Sequence, residues 1–309
     1  MEDYLFALAP YVDFLVDSGA FTDYHAQMKA SAERKSYSPI SLDEYIAACR
    51  RYDGYVWQYI ALDVIHDPPA TRDNLRRMVD AGLRPMPVFV YPESLDAVPE
   101  LVSINPHISV AGGAASKVGF AVQRYQRVFK ASGGKAKIHA LGFTRVPQIF
   151  QLPLASVDSS TYSAGSRFGQ IYFYRPSQGM NTVSIDTIGK ERNLPVLRML
   201  ERSGVGFSKV KDPQEWRTHV GIPSLATIYA FVQLHRHCYV RGLRFAFAIS
   251  NDSWLKLVLA VLATTHAMGF DFEESRRIAA YIGKADVPET VAFAVDVLKR
   301  QTTWQERLP

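Results

Sequence analysis

Three aspartates close short apolar runs in this chain: Asp17 in Val16-Asp17-Ser18-Gly19-Ala20-Phe21, Asp63 in Ile60-Ala61-Leu62-Asp63, and Asp158 in Ser156-Val157-Asp158-Ser159-Ser160. Taken singly, each reads as an Asx turn, a helix cap or a buried hydrogen-bond acceptor. Taken together they have a chemistry. Two carboxylates on opposite sides of a sugar divide nucleophilic attack from proton transfer. A third accepts the adjacent N–H groups along one edge of a guanine-like base. Between residues 101 and 185, Asp158 is the single acid, set against Lys117, Arg124, Arg127, Lys130, Lys135, Lys137, Arg145, Arg167 and Arg175. The whole chain carries 35 lysines and arginines to 30 acids, so this stretch is the exception. A surface cleared of carboxylates suits a polyanion, because each retained acid would repel a phosphate. Gly112-Gly113-Ala114-Ala115 adds small residues that let backbone N–H groups approach a flat ligand, although a glycine pair alone is more often a turn.

These residues need a frame, and periodicity supplies one. Apolar, β-rich runs at 14–17, 57–63, 86–90, 108–112, 137–142 and 154–158 each end in or near a polar residue or glycine. Between them lie helical stripes: Leu42, Tyr45, Ile46 and Cys49; Leu75, Met78 and Val79; Val118, Val122, Tyr125 and Phe129. Ser41 and Asp73 stand where caps or first-turn acids belong, and Gly82 stands where a helix stops. Strands alternating with helices imply a parallel sheet, and six βα units in series favour a (β/α)8 TIM-like barrel over an open sheet. In that barrel Asp17, Asp63, Gly112, Gly142 and Asp158 face one pocket. Beyond Asp158 the pattern loosens into a strand at 168–175, helices at 224–239, 255–267, 272–282 and 288–300, and a late buried strand at 243–249. One domain over 1–309 is expected, with core motifs in 14–169 and an irregular, helical remainder.

Composition narrows the class. The 309 residues are 48% apolar and 21% charged, as in an ordinary globular chain. Cys49 and Cys238 stand alone, which argues against a disulfide scaffold and a cysteine-rich zinc site. The start, Met1-Glu2-Asp3-Tyr4, lacks the basic n-region of a secretory signal, and the apolar stretch 257–263 is too short to span a bilayer. A soluble cytoplasmic protein without a membrane role is expected. His235-x-His237-Cys238 looks metal-like, but positions i and i+2 on a helix do not share a face. The loop 131–135, ASGGK, precedes a strand, where a phosphate-binding loop should follow one.

The motifs DSGAF (17–21), ALD followed by DP (61–68), VAGGAAS (110–116), HALGFT (139–144) and SVDSSTYSAGSRFG (156–169) occur in an order that resembles the tRNA-guanine transglycosylase superfamily. The likeness is greatest to its short branch, the 7-deazaguanine DNA transglycosylases of phages and bacterial modification islands. It spans about half the chain and rests on five short motifs. The resemblance implies Asp158 as nucleophile and Asp17 as acid/base, with Ser18 beside it in the same motif. It implies that Phe21 stacks on the base, Asp63 reads the guanine-like edge, and Gly112 and Gly113 contact its exocyclic carbonyl. His139 and Leu141 floor the pocket. Lys117, Arg124, Arg127, Arg145 and Arg167 are the expected phosphate contacts.

The implied reaction replaces guanine in DNA with a 7-deazaguanine base such as preQ0, through a covalent aspartyl-glycosyl intermediate, with no cofactor and no metal; a homodimer is one expected assembly. Members acting on tRNA carry a zinc site of three cysteines and a histidine, which two cysteines cannot build. The strand before the DSG motif has no counterpart unless residues 243–249 supply it, and Val90-Tyr91 stands where those enzymes place a base-reading glutamine. The competing readings are the same exchange on tRNA, hydrolysis with water as second nucleophile, and a catalytically silent nucleic-acid-binding accessory barrel.

Overall fold

The structure is a computed structural model that describes residues 1–111, 117–188, 194–210, 212–218, 220–266 and 269–305. In chain order it begins α1 (Glu2–Leu8), β1 (Leu15–Val16), α2 (Ala20–Ala32), α3 (Leu42–Tyr52), β2 (Gln58–Tyr59), α4 (Pro68–Asp80) and β3 (Val88–Phe89). It continues α5 (Val98–Ile104), β4 (His107–Val110), α6 (Val118–Ala131), β5 (Lys137–Ala140) and β6 (Leu154–Ser159). Contacts gather into two compact units: Val12–Phe143 with Gln151–Val157, and Met1–Tyr11 with Thr144–Phe150 and Asp158–Pro309.

The unit holding Val12–Phe143 is the regular one. β1 and β2 pair in parallel, and the bridge between Ile60 and Met86 carries the pairing on towards β3. Ala61 N–H donates to Met86 O at 2.9 Å and Met86 N–H to Tyr59 O at 2.8 Å. β3, β4, β5 and β6 then follow in parallel, with Val88 opposite Ser109, Ser109 opposite His139, and His139 opposite Ser156. The larger sheet has five strands in the order β3-β4-β5-β6-β9, where β9 is Arg244–Phe247. Strands adjacent in sequence are thus adjacent in space, as the alternating pattern requires. Ile108, Val110, Ile138, Ala140 and Val157 are fully buried on one side of these strands. Alternation puts Ser109, His139 and Ser156 on the other side, also buried. Burial on both faces is what a parallel sheet covered by helices demands.

The first two striped helices follow their stripes. Leu42, Tyr45, Ile46 and Cys49 of α3 are buried, as are Leu75 and Met78 of α4, while Val79 turns partly outward. On α6 the stripe is corrected: the buried line is Ala121, Tyr125 and Val128, while Val118, Val122 and Phe129 are half-buried. Ser41 caps α3, accepting from Glu44 N–H at 3.4 Å. The expected cap at Asp73 is corrected to Asp67, which accepts from Ala70 N–H at 3.0 Å. Pro68 fits the first helical position, so α4 starts about two turns before its apolar stripe shows. Asp73 instead pairs with Arg76 at 3.0 Å on the surface. Gly82, at φ 84°, ends the helix as expected.

The other unit is built around the helix Ile222–Val240, which buries Ile222, Leu225, Ile228, Phe231 and Leu234 among many others. A helix apolar all round must be enclosed. β7 (Gln170–Arg175), paired antiparallel with β8 (Gly179–Ser184), packs against it, as do β9 and the helix Asp252–Thr264. Gly165 shows how closely the chain approaches: a Cβ there would lie 2.5 Å from Pro223 O and 2.7 Å from Thr227 Oγ1. The described strand ends at Arg175 as expected, but its partner β8 had no periodicity to announce it. Among the described residues no helix is long and apolar enough to cross a membrane.

Candidate functional site

The DSGA motif has a physical reason at each position. Asp17 leaves the end of β1 and is exposed. Ser18 turns inward, 5% exposed, and its hydroxyl donates to Asp63 Oδ1 at 3.1 Å while accepting from Ala20 N–H at 3.3 Å. Gly19 stands at φ 76°, the left-handed region, where a Cβ would also meet Ile40 Cδ1 at 3.2 Å. Ala20 then starts α2.

Asp63 lies just past β2, and its loop is braced from both sides. Asn74 Nδ2 donates to Leu62 O at 3.0 Å, and Val64 N–H donates to Thr71 Oγ1 at 2.9 Å. The carboxyl is 7% exposed. Burial pushes its pKa up to about 6, the neighbouring Asp17 charge adds to the rise, and the bonds from Ser18 and its own backbone N–H oppose it. Among the described residues no cation pairs with it. Near neutral pH it is therefore an ionised, buried acceptor with little to neutralise it, which is how binding and catalytic carboxylates are tuned.

Tyr45 was missed because its place on the buried stripe of α3 reads as core. Its hydroxyl donates to Ile60 O at 2.6 Å. Burial holds its pKa well above the usual phenol range, with Cys49, Asp17 and Asp63 adding to the rise. It stays a neutral donor beneath the two acids. His66, at φ 64°, ends the same loop with its ring 6.1 Å from that of Tyr24.

The remaining expected residues are placed as follows. Phe21 is 67% exposed on the first turn of α2, edge-on to His25 at 4.4 Å. His139 is fully buried, its Nδ1 2.9 Å from Ser156 Oγ. Leu141 follows β5 and is half-buried. Asp158 is half-buried inside β6 rather than after it, on the face that strand alternation gives to Ser156. Gly112 and Gly113 lie outside the described residues. Lys117, Arg127, Arg145 and Arg167 are exposed, and Arg124 is half-buried. The structure thus joins Ser18 to Asp63 directly, with Asp17 close enough to act on the Asp63 charge, while Phe21 stands out in solvent.

Among the described residues no group of three or more His, Cys, Asp or Glu side chains is arranged to hold a metal ion. His235 is half-buried near the Phe245 and Phe247 rings, each 6.3 Å away, and desolvation pushes its pKa down to about 4. His237 meets the Tyr174 hydroxyl at Nδ1 and accepts from Arg241 Nε at Nε2 over 2.8 Å. A cleft of about 320 Å³ lined by Arg198, Met199, Arg202 and Tyr229 contains none of the expected site residues. No protein-family model matches this chain. No curated protein matches it by sequence.

Proposed function

We propose that this protein is a base-exchange transglycosylase that replaces guanine in DNA with a 7-deazaguanine base. The observation that carries the reading is the buried Asp63 carboxylate, tied to Ser18 and paired with no cation among the described residues, next to Asp17 at neighbouring strand ends. A guanine-like base offers N–H donors along one edge, and such an acceptor gains most from them because water is excluded. In the proposed reaction Asp158 attacks C1′ of the target nucleotide, the glycosidic bond breaks, and guanine leaves with a proton given to its N9 by Asp17. The 7-deazaguanine then enters, Asp17 takes its N9 proton, and N9 bonds to C1′ as the Asp158 ester breaks. Phe21 stacks on the base, Gly112 and Gly113 meet its carbonyl, and His139 and Leu141 line the floor. Lys117, Arg124, Arg127, Arg145 and Arg167 track phosphates of an exposed or flipped strand. The proposal includes closure of the parallel strands into a (β/α)8 barrel as one domain, acting in the cytoplasm of a bacterial or phage-infected cell.

The test is transfer of labelled preQ0 into DNA, with tRNA in a parallel reaction to identify the acceptor. Asp158→Ala and Asp17→Ala should each lower transfer on the order of a thousandfold or more, with DNA binding retained. A folded wild-type protein that transfers no label to DNA would overturn the proposal. Because base reading needs Asp63 ionised, kcat/KM for the incoming base should fall as pH drops through about 6.

A further inference from the structure

The strand ends of the regular unit carry more than the acids. Past β1 comes Asp17, past β2 Asp63, past β3 Tyr91, and past β4 Ala111. Tyr91 is 58% exposed, and the Arg124 guanidinium carbon sits over its ring, 4.8 Å from the centroid. Arg124 is itself anchored, its Nη1 donating to Ala111 O at 2.9 Å. A cation therefore backs one face of a fixed aromatic ring whose remainder is open to solvent. One turn earlier on α6 stands Phe120, 64% exposed. Four residues from Arg124, it shares that helix face, and Lys117 and Arg127 continue the line at helical spacing.

No acid occurs on α6. The nearby Glu93 is withdrawn into a buried pair with Arg72, and Asp96 accepts from Ser94 Oγ at 2.9 Å on the adjoining turn. Two open aromatic rings interleaved with three cations do not resemble a protein-docking patch, whose centre is depleted of charge. They fit a strand whose bases are free to stack and whose phosphates need cations. A duplex would hide its base faces.

We propose that Tyr91, Arg124 and Phe120 form a stacking platform for unpaired DNA that takes a base flanking the reacting nucleotide, with Lys117 and Arg127 on the adjoining phosphates. This rests on the transglycosylase reading for its acceptor. The experiment titrates the full chain into fluorescein-labelled single-stranded DNA and reads anisotropy, with duplex DNA and unpaired RNA of the same sequence alongside. Tyr91→Ala and Phe120→Ala should each weaken single-strand binding about tenfold without changing its salt dependence. Tyr91→Phe should bind as wild type, because stacking needs the ring and not the hydroxyl. Lys117→Ala and Arg127→Ala should each reduce the slope of log affinity against log salt by about 0.7.

Wild-type affinity in both Tyr91→Ala and Phe120→Ala overturns the platform, as does tighter binding of duplex or RNA than of single-stranded DNA. The two proposals fail separately. Label transfer with undiminished binding by both alanine variants removes the platform and keeps the exchange reaction. Loss of single-strand binding in those variants, with no label transfer by wild type, removes the exchange reaction and keeps the platform.

Discussion

Two acids are buried at neighbouring strand ends, and they are treated in opposite ways. Glu93, after β3, is enclosed with Arg72: Nε of the guanidinium donates to Glu93 Oε1 at 2.6 Å, Nη2 joins it there, and Val90 N–H donates to Oε2 at 3.3 Å. The two side chains are only 11% and 8% exposed. Asp63, after β2, is equally enclosed but receives a hydroxyl and its own N–H, and among the described residues no cation. A buried carboxylate kept for architecture is neutralised, since an unpaired ion in the interior costs several kcal/mol. One left without that partner holds the fold at less than its attainable stability. Sites that must bind something are where such deficits accumulate. The contrast separates an acid neutralised by a cation from one held only by a hydroxyl and a backbone N–H, at the ends of neighbouring strands.

The strongest way to break the contrast is to strip Glu93 of its cation. Arg72→Leu should lower unfolding stability by about 3–5 kcal/mol, read from urea midpoints at pH 7. The double variant Arg72→Leu/Glu93→Leu should recover most of that loss, because no charge is then stranded. A cost below about 1 kcal/mol would mean that Glu93 does not depend on Arg72 and that the comparison is misdrawn.

Asp63→Asn should move stability the other way. The rise from 3.8 to about 6 corresponds to about 3 kcal/mol held against the ionised form. A raised carboxyl pKa contributes fully below 3.8 and loses that contribution as pH climbs through about 6. The variant should therefore match wild type near pH 4, gain between pH 4 and 6, and stay ahead by up to about 3 kcal/mol at neutral pH. Its preQ0 transfer should collapse over the same neutral range. Stabilisation with transfer intact would sink the assignment of Asp63 to base reading.

How much of this could be read from residues alone differs by element. The strand-forming runs, the α3 and α4 stripes and the DSG turn were legible, because each is local: a period, a cap, a glycine at positive φ. α2 was invisible, since Ala20 is its only buried residue and no apolar stripe exists to find. Asp73 drew the cap away from Asp67 because Pro68 starts α4 ahead of its apolar face. The Ser18–Asp63 bond joins residues 45 apart, and Arg72–Glu93 joins residues 21 apart. Both depend on which strands lie side by side, which periodicity does not encode. That Asp63 closes an apolar run was legible; that no cation among the described residues pairs with it while Glu93 has one was not.

Ser18→Ala is the smallest of these changes and separates two roles of one hydroxyl. As a donor to Asp63 Oδ1 it favours the ionised carboxyl, so its loss should raise the Asp63 pKa beyond about 6. As an acceptor from Ala20 N–H it supports the start of α2 at every pH. The donor role should cost about 1 kcal/mol at pH 8 and fade near pH 4, where Asp63 is protonated in both proteins. The acceptor role should leave a residue of a few tenths of a kcal/mol that pH does not touch. Urea unfolding at the two pH values reads the difference directly. A cost independent of pH would mean that Ser18 only caps the turn, and the Asp63 carboxylate would then stand without the hydroxyl that distinguishes it from a stranded charge.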